Sequence, residues 1–208
     1  MPALSDLHKE MRACAKCPIL VKNRTQVVPG VGAEDAKIMF VGEAPGFNED
    51  KLGEPFVGAA GNFLNELLAS IGLKREQIFI SNVIKCRPPE NREPLPTEIQ
   101  NCRPWLDAQI SLIRPKVIVT LGRFAMESFL PGKSISKVHG QAFKIGNLTI
   151  FAMYHPAAAL YQQSQRDVIK NDFLKLPGII AGMKTEAAVP IVEAVQPKKE
   201  EPRQMTMF

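Results

Sequence analysis

Short apolar runs alternate along the chain with longer stretches in which apolar residues recur every three or four positions. The runs are Lys37-Ile38-Met39-Phe40, Ile78 to Ile84, Lys116 to Gly122 and Leu148 to Met153. All are short, and β-branched or aromatic residues dominate them, so each predicts a buried strand. The longer stretches predict helices. Leu4, Leu7, His8 and Met11 share a face from about Leu4 to Arg12, and Phe63, Leu64, Leu67, Leu68 and Ile71 share one from Gly58 to Ile71, where Gly72 stops the helix. Further helices are expected over Thr97 to Ile113, with Thr97 as N-cap, over Arg123 to Leu130, and over Gln165 to Leu176. Ala142 to Ile145 reads as the hairpin partner of Leu148 to Met153 about Gly146-Asn147. Asn23 to Asp35 and Asn48 to Glu54 carry no period and read as irregular segments.

Strands that alternate with helices predict an α/β fold of three layers, α/β/α, around a mostly parallel four-stranded sheet. Ligands of such sheets bind outside the carboxyl ends of the strands. The loop Val41-Gly42-Glu43-Ala44-Pro45-Gly46, Asn82, Gly122 and His155 all fall at or near such ends. Two glycines and a proline give the first loop a bare backbone that a ligand can approach closely. Asn82 interrupts an apolar run, and its amide needs partners at both ends, in loop backbone or in the edge of a base. Phe56, framed by Pro55 and Gly58, is either a loop anchor or a plate for a planar ligand. No Ser/His/Asp set, phosphate-loop lysine or complete G-x-G-x-x-G is present. What the rim offers suits a flat, hydrogen-bonding ring such as a nucleobase.

Charge and cysteine usage sharpen this picture. The formal net charge is +5, which fits a polyanionic partner without requiring one. No apolar run approaches the length of a membrane span, and Met1 to His8 lacks the pattern of a signal peptide, so a cytoplasmic or nucleoid-associated monomer is expected. The four cysteines are Cys14, Cys17, Cys86 and Cys102: a C-x2-C pair, a gap of 68 residues, then C-x15-C. Structural disulfides are not expected in that setting. The cysteines stand beside prolines and basic residues, with Cys-Arg-Pro occurring twice, so a shared metal centre is the reading, either a thiolate-bound cluster or tetrahedral zinc.

Taken together, Gly42-Glu43-Ala44-Pro45-Gly46, Gly53-Glu54-Pro55-Phe56-Val57-Gly58, Asn82, the two Cys-Arg-Pro motifs and His155-Pro156-Ala157-Ala158 resemble the family 4 uracil-DNA glycosylases, over about Cys14 to Leu176. The resemblance implies a [4Fe–4S] cluster on Cys14, Cys17, Cys86 and Cys102, and hydrolysis of the N-glycosidic bond of uracil in single- or double-stranded DNA, the first step of base excision repair. It also implies residue roles. Phe56 would stack on the flipped uracil, Asn82 would pair with N3–H and O4, and His155 would bond O2. Backbone around Gly42, Glu43 and Ala44 would hold the base and the water. Related glycosylases carry an aspartate where Ala44 stands, which leaves Glu43 as the candidate base. Leu160 would wedge into the duplex and Lys137 would contact phosphate. A neighbouring branch traps uracil on a histidine in the loop before the fourth cysteine; Pro88 to Gln100 has none, so a free abasic product is expected. The rival class is a non-catalytic iron–sulfur protein that binds DNA or senses redox state.

The composition divides the chain into a catalytic domain over 1–183, a disordered linker over 184–203 and a tail over 204–208. The tail, with Gln204, Met205, Met207 and Phe208, resembles the pentapeptide by which bacterial proteins dock on the sliding clamp.

Overall fold

The computed structural model describes residues 3–182. Its sheet has six strands rather than four: β1 (Val31–Gly32), β2 (Ile38–Gly42), β3 (Phe79–Asn82), β4 (Val117–Leu121), β5 (Gln141–Ile145) and β6 (Leu148–Met153), in the order β1-β3-β2-β4-β6-β5. The four inner strands run parallel and are the four that the apolar runs predict. The two further strands are antiparallel edges: β1 lies in a segment expected to be irregular, and β5 is the expected hairpin partner of β6 about Gly146-Asn147, now seen as a member of the sheet. β1 is two residues long and exposed, so it carries no apolar signal. β5 is exposed or half-buried along its length, as an outer hairpin strand should be.

Helices cover both faces of the sheet. One face packs residues of α1 (Leu4–Arg12), α2 (Pro18–Asn23), α5 (Pro96–Ile113), α6 (Arg123–Glu127) and α7 (Ile135–Val138) against Met39, Val41, Phe79 and Ile118. The other packs residues of α4 (Ala59–Ser70), α8 (Ala158–Tyr161), α9 (Gln163–Phe173) and α10 (Leu176–Gly182) against Phe40, Ile80, Val119 and Phe151. Side chains alternate between the faces along each strand, so an all-apolar strand serves both cores.

Three segments depart from the sequence reading. Asn48 to Glu54 is not a plain loop, because Phe47–Leu52 forms helix α3 between Gly46 and Gly53, with Gly53 in the left-handed region. Pro18–Asn23, just before the irregular stretch, is the short helix α2. Helix α5 starts one residue early: Pro96 takes the first helical position, and the Glu98 carboxylate, rather than Thr97, accepts the Leu95 N–H at 2.8 Å. Pro104 lies inside α5 but on its exposed side, where water can serve the carbonyl left without a donor.

Candidate functional site

The parallel register brings the strand ends together. Gly42 at the end of β2 pairs with Asn82 at the end of β3, and Leu121 at the end of β4 pairs with Met153, two residues before His155. Above this rim lies a cleft of about 260 Å³, lined by Glu43, Ala44, Pro45, Gly46, Glu49 and Phe56 on one side of the sequence and by Pro88, Asn91, Arg92, His155 and Ala157 on the other. Gly42 and Asn82 sit behind these residues, both buried.

Glycine at position 42 is what lets the back of the site close up. A Cβ there would lie 2.5 Å from Asn82 Oδ1 and 2.7 Å from the Phe56 ring, so the amide oxygen and the ring edge meet over bare backbone. Asn82 is 2% exposed, and its Oδ1 is a buried acceptor with no hydrogen-bond partner. Such an atom costs on the order of 1–3 kcal/mol unless something supplies a donor. The Phe56 ring in turn stacks on His155, with centroids 5.5 Å apart.

His155 is oriented and held neutral. Its Nδ1 accepts the backbone N–H of Ala157 at 3.1 Å, so the neutral ring carries its proton on Nε2. Burial lowers its pKa to about 4, against a smaller upward pull from Glu49. Gly122, at φ +91°, lets the ring pack closely: a Cβ there would lie 3.1 Å from that of His155. Glu43 is half-buried, and burial raises its carboxyl pKa; Glu93 pushes it further up, while Arg123 pulls it down.

Phe56 itself adopts φ +56°, a left-handed conformation that a bulky residue rarely takes. Neighbours fix it there. Glu49 Oε1 accepts the N–H groups of Val57 and Gly58, each at 3.0 Å. The Arg75 guanidinium donates to the carbonyls of Pro55 at 2.7 Å and Phe56 at 3.2 Å. Gly61 leaves room for that Phe56 carbonyl, which would lie 1.9 Å from a Cβ at 61. Glu49 and Arg75 carry no sequence signal, because each acts on backbone far along the chain. Lys137 is exposed on α7, Leu160 is 44% exposed on α8, and neither lines the cleft.

The cysteines gather on the α1/α5 side, beyond the end of β3. Arg24 donates to Cys86 Sγ at 3.0 Å and to the Cys14 carbonyl at 2.8 Å. Trp105 Nε1 donates to Cys14 Sγ at 3.4 Å, and Asn101 Nδ2 lies 3.6 Å from Cys17 Sγ. Donors aimed at sulfur stabilise thiolates and are the usual surroundings of a thiolate-bound cluster. Cys86 and Cys102 each feel the charge of Cys14. Burial pushes the free Cys102 thiol up to about 11 and raises Cys86 as well. Among the described residues, no three His, Cys, Asp or Glu side chains form a group that could hold a single metal ion.

Between cysteines and cleft lies a buried polar strut. Lys85 Nζ donates to Ser81 Oγ and the Asn82 carbonyl, both at 2.6 Å, and to Gln109 Oε1 at 2.8 Å, so all three of its protons are used. Gln109 Nε2 donates to the Pro29 carbonyl at 2.8 Å and lies 3.2 Å from His8 Nε2. Burial lowers the pKa of Lys85 to about 8, while Cys102 and Cys86 hold it up.

Comparison with known proteins shows the family of the chain. Residues 29–176 match the profile of the Uracil DNA glycosylase superfamily. The type-4 uracil-DNA glycosylase of Archaeoglobus fulgidus is 48% identical over 193 residues, covering 88% of this chain and 96% of its own. That of Thermotoga maritima is 44% identical, covering 83% and 92%. The type-5 uracil-DNA glycosylase of Thermus thermophilus is 30% identical, covering 70% and 83%.

Proposed function

The chain belongs to the uracil DNA glycosylase superfamily, and from that premise we propose how this site excises uracil from DNA. One observation carries the reading: the partnerless amide oxygen of Asn82, buried near Phe56, whose ring stacks on His155. A uracil turned out of the stack supplies the missing donor through N3–H, while the Asn82 amide nitrogen donates to O4. Cytosine presents the reverse pattern, an acceptor at N3 and a donor at N4, and leaves the amide mismatched. Phe56 packs on the ring, and the bare Gly42 backbone lets the base approach.

Breaking the bond from C1′ to N1 leaves its electron pair on uracil, with much of the charge at O2. His155, neutral and with its proton on Nε2, would donate a hydrogen bond there as the charge develops. Glu43, made more basic by burial, orients a water and takes its proton as oxygen bonds to C1′. The products are free uracil and an abasic site, the substrate for base excision repair. Leu160 fills the gap in the stack and Lys137 holds phosphate. The proposed site residues all come from one chain, and we read the enzyme as a monomer that acts on DNA at the nucleoid. None of the described helices is long and apolar enough to cross a membrane.

The four cysteines are read as the ligands of an iron–sulfur cluster, with zinc as the rival. Cys86 and Cys102 lie close enough to Cys14 to feel its charge, and Arg24, Trp105 and Asn101 address the sulfurs or neighbouring backbone, as donors around thiolates do. Cys14, Cys17, Cys86 and Cys102 would hold a [4Fe–4S] cluster, whose chemistry here is structural. Visible absorbance with iron and zinc analysis of purified protein tests this: zinc without iron would overturn it.

Uracil release is tested with a labelled oligonucleotide containing one uracil, scored by alkali-sensitive cleavage. His155→Ala should lower kcat by about 10²–10³, the effect of removing one donor to a developing anion. Asn82→Ala should cost about ten- to a hundredfold in kcat/KM, from a bidentate contact of ~1–3 kcal/mol. Wild-type protein with its metal centre intact that cuts no uracil DNA would leave the DNA-binding or sensing reading in its place.

A further inference from the structure

The lip of the cleft carries an aromatic–guanidinium pair that the excision chemistry leaves unused. Phe47, the first residue of α3, is 59% exposed although it is large and apolar. The Arg87 guanidinium lies over its ring, 5.2 Å from the centroid. The pair directly adjoins the cleft, since Gly46 precedes Phe47 in the cleft wall and Pro88 follows Arg87 there.

Both members are held in place. Arg87 Nε donates to Asn91 Oδ1 at 2.8 Å, and Asn91 is another wall residue. The Arg87 carbonyl accepts from Asn23 Nδ2 at 3.2 Å. Further along α3, the buried Asp50 accepts the Thr25 N–H at 2.9 and 3.0 Å, and Glu49 holds the Phe56 loop, so the helix is pinned on two sides. An exposed ring on a pinned helix loses little freedom when it binds a partner, and a cation beside it favours a partner that carries both a π-face and a negative charge.

We propose that Phe47 and Arg87 form a stacking platform for an unpaired nucleobase flanking the flipped uracil, with Phe47 taking the base and Arg87 its phosphate. The occupant is a nucleotide of the substrate strand rather than another protein: the platform is continuous with the cleft that takes the uracil, and its charge complements a phosphodiester. The inference rests on the glycosylase reading of the cleft and extends it to the neighbouring nucleotide. It also assigns the chain a preference for DNA that is locally single-stranded around the lesion, since a base still paired in the duplex cannot leave it to stack on the protein without unpairing.

The test uses full-length protein and single-stranded oligonucleotides with one uracil. In each, one of the nearest nucleotides on either side is replaced in turn by a tetrahydrofuran abasic residue. Wild-type protein should show one position at which losing the base raises KM about five- to a hundredfold, the range of a single base stacked on an aromatic side chain. Phe47→Ala should raise KM by a similar factor on the unmodified strand and lose sensitivity at that position; Phe47→Trp should restore both. A wild-type KM in Phe47→Ala would overturn the platform, as would unchanged sensitivity to the missing base at every position. The glycosylase reading is scored separately by whether wild-type protein cuts at all. Fluorescence anisotropy on the same strands makes the comparison in Kd, whatever the cleavage result.

Discussion

A histidine can donate a hydrogen bond to a departing anion as a neutral ring or as a cation, and the surroundings of His155 select the neutral form. Its Nδ1 is occupied by a backbone N–H, and burial lowers its pKa to about 4. The ring therefore stays neutral, with the proton on Nε2, throughout the range around neutrality. The pH profile of kcat should show no inflection from this group between about pH 5 and 8, a histidine with an ordinary value near 6.5 being the contrast. A break near 6.5 that disappears in His155→Gln would contradict the assignment. Stability should follow a different course. His8 is also lowered to about 4 by burial, followed by the charges of Arg12 and Lys85. The unfolded chain takes up protons at both histidines as pH falls below about 6.5, and the folded chain does not until about 4, so their contribution is full above 6.5 and declines between these values. Thermal melts across that window should show it, with the decline reduced in His8→Gln. At this scale the sequence was informative where a residue broke its local pattern: Asn82 in an apolar run, His155 beside proline at a strand end. Glu49 and Arg75 broke none, and only the folded chain brings them to the backbone they brace.

Among the elements, the segment from Pro55 to Gly61 is under the tightest constraint. Phe56 holds a left-handed conformation because Glu49, Arg75 and the missing side chain of Gly61 leave it no better place. Gly61→Ala would drive a methyl into the Phe56 carbonyl. The expected loss of stability is about 1–3 kcal/mol, the cost of overpacking a close-packed site. Uracil excision should fall further than stability alone explains, since Phe56 would leave its register with Asn82 and His155. Chemical denaturation beside kcat/KM checks this; wild-type activity in the Gly61→Ala protein would show that the loop's geometry is not needed. The same contrast explains which elements could be read in advance. The four parallel strands are buried on both faces and wrote continuous apolar runs, so all were legible. Edge strand β1 is exposed and was not legible, whereas β5, exposed or half-buried, was marked by the turn at Gly146-Asn147 rather than by an apolar run. Helix α3 buries only Asp50, to receive the Thr25 N–H, and no hydrophobic period marks it.

For the molecule as a whole, the catalytic unit and the tail should be separable. Gln204, Met205, Met207 and Phe208 lie outside the described residues, as does the proposed linker 184–203. Deleting residues 204–208 should abolish retention of the protein on an immobilised bacterial sliding clamp and leave excision on short oligonucleotides unchanged. Undiminished retention would remove the tail from consideration. A site assembled from strands β2, β3 and β6 is also one whose parts are far apart in sequence, and it needs a rigid frame. Lys85 supplies part of it by joining the Asn82 carbonyl to Ser81 and Gln109, and through Gln109 to the region of Pro29 and His8.

The cysteines extend that frame into the polymer physics of the chain. Cys17 and Cys86 are separated by 68 residues, and Cys14, Cys17, Cys86 and Cys102 come from three distant stretches of sequence. A metal centre shared by them, as proposed above, would be a removable staple that closes a long loop. Its largest effect would fall on the unfolded ensemble, which it deprives of conformations. For a loop of this size the loss is on the order of 4 kcal/mol, by analogy with a disulfide. Stripping the metal should therefore lower the melting temperature by far more than the few contacts around the sulfurs would suggest, and should speed unfolding less than it slows refolding. Stopped-flow unfolding and refolding of the metal-bound and stripped forms would measure both arms; equal refolding rates would show that the staple closes only after the fold has formed.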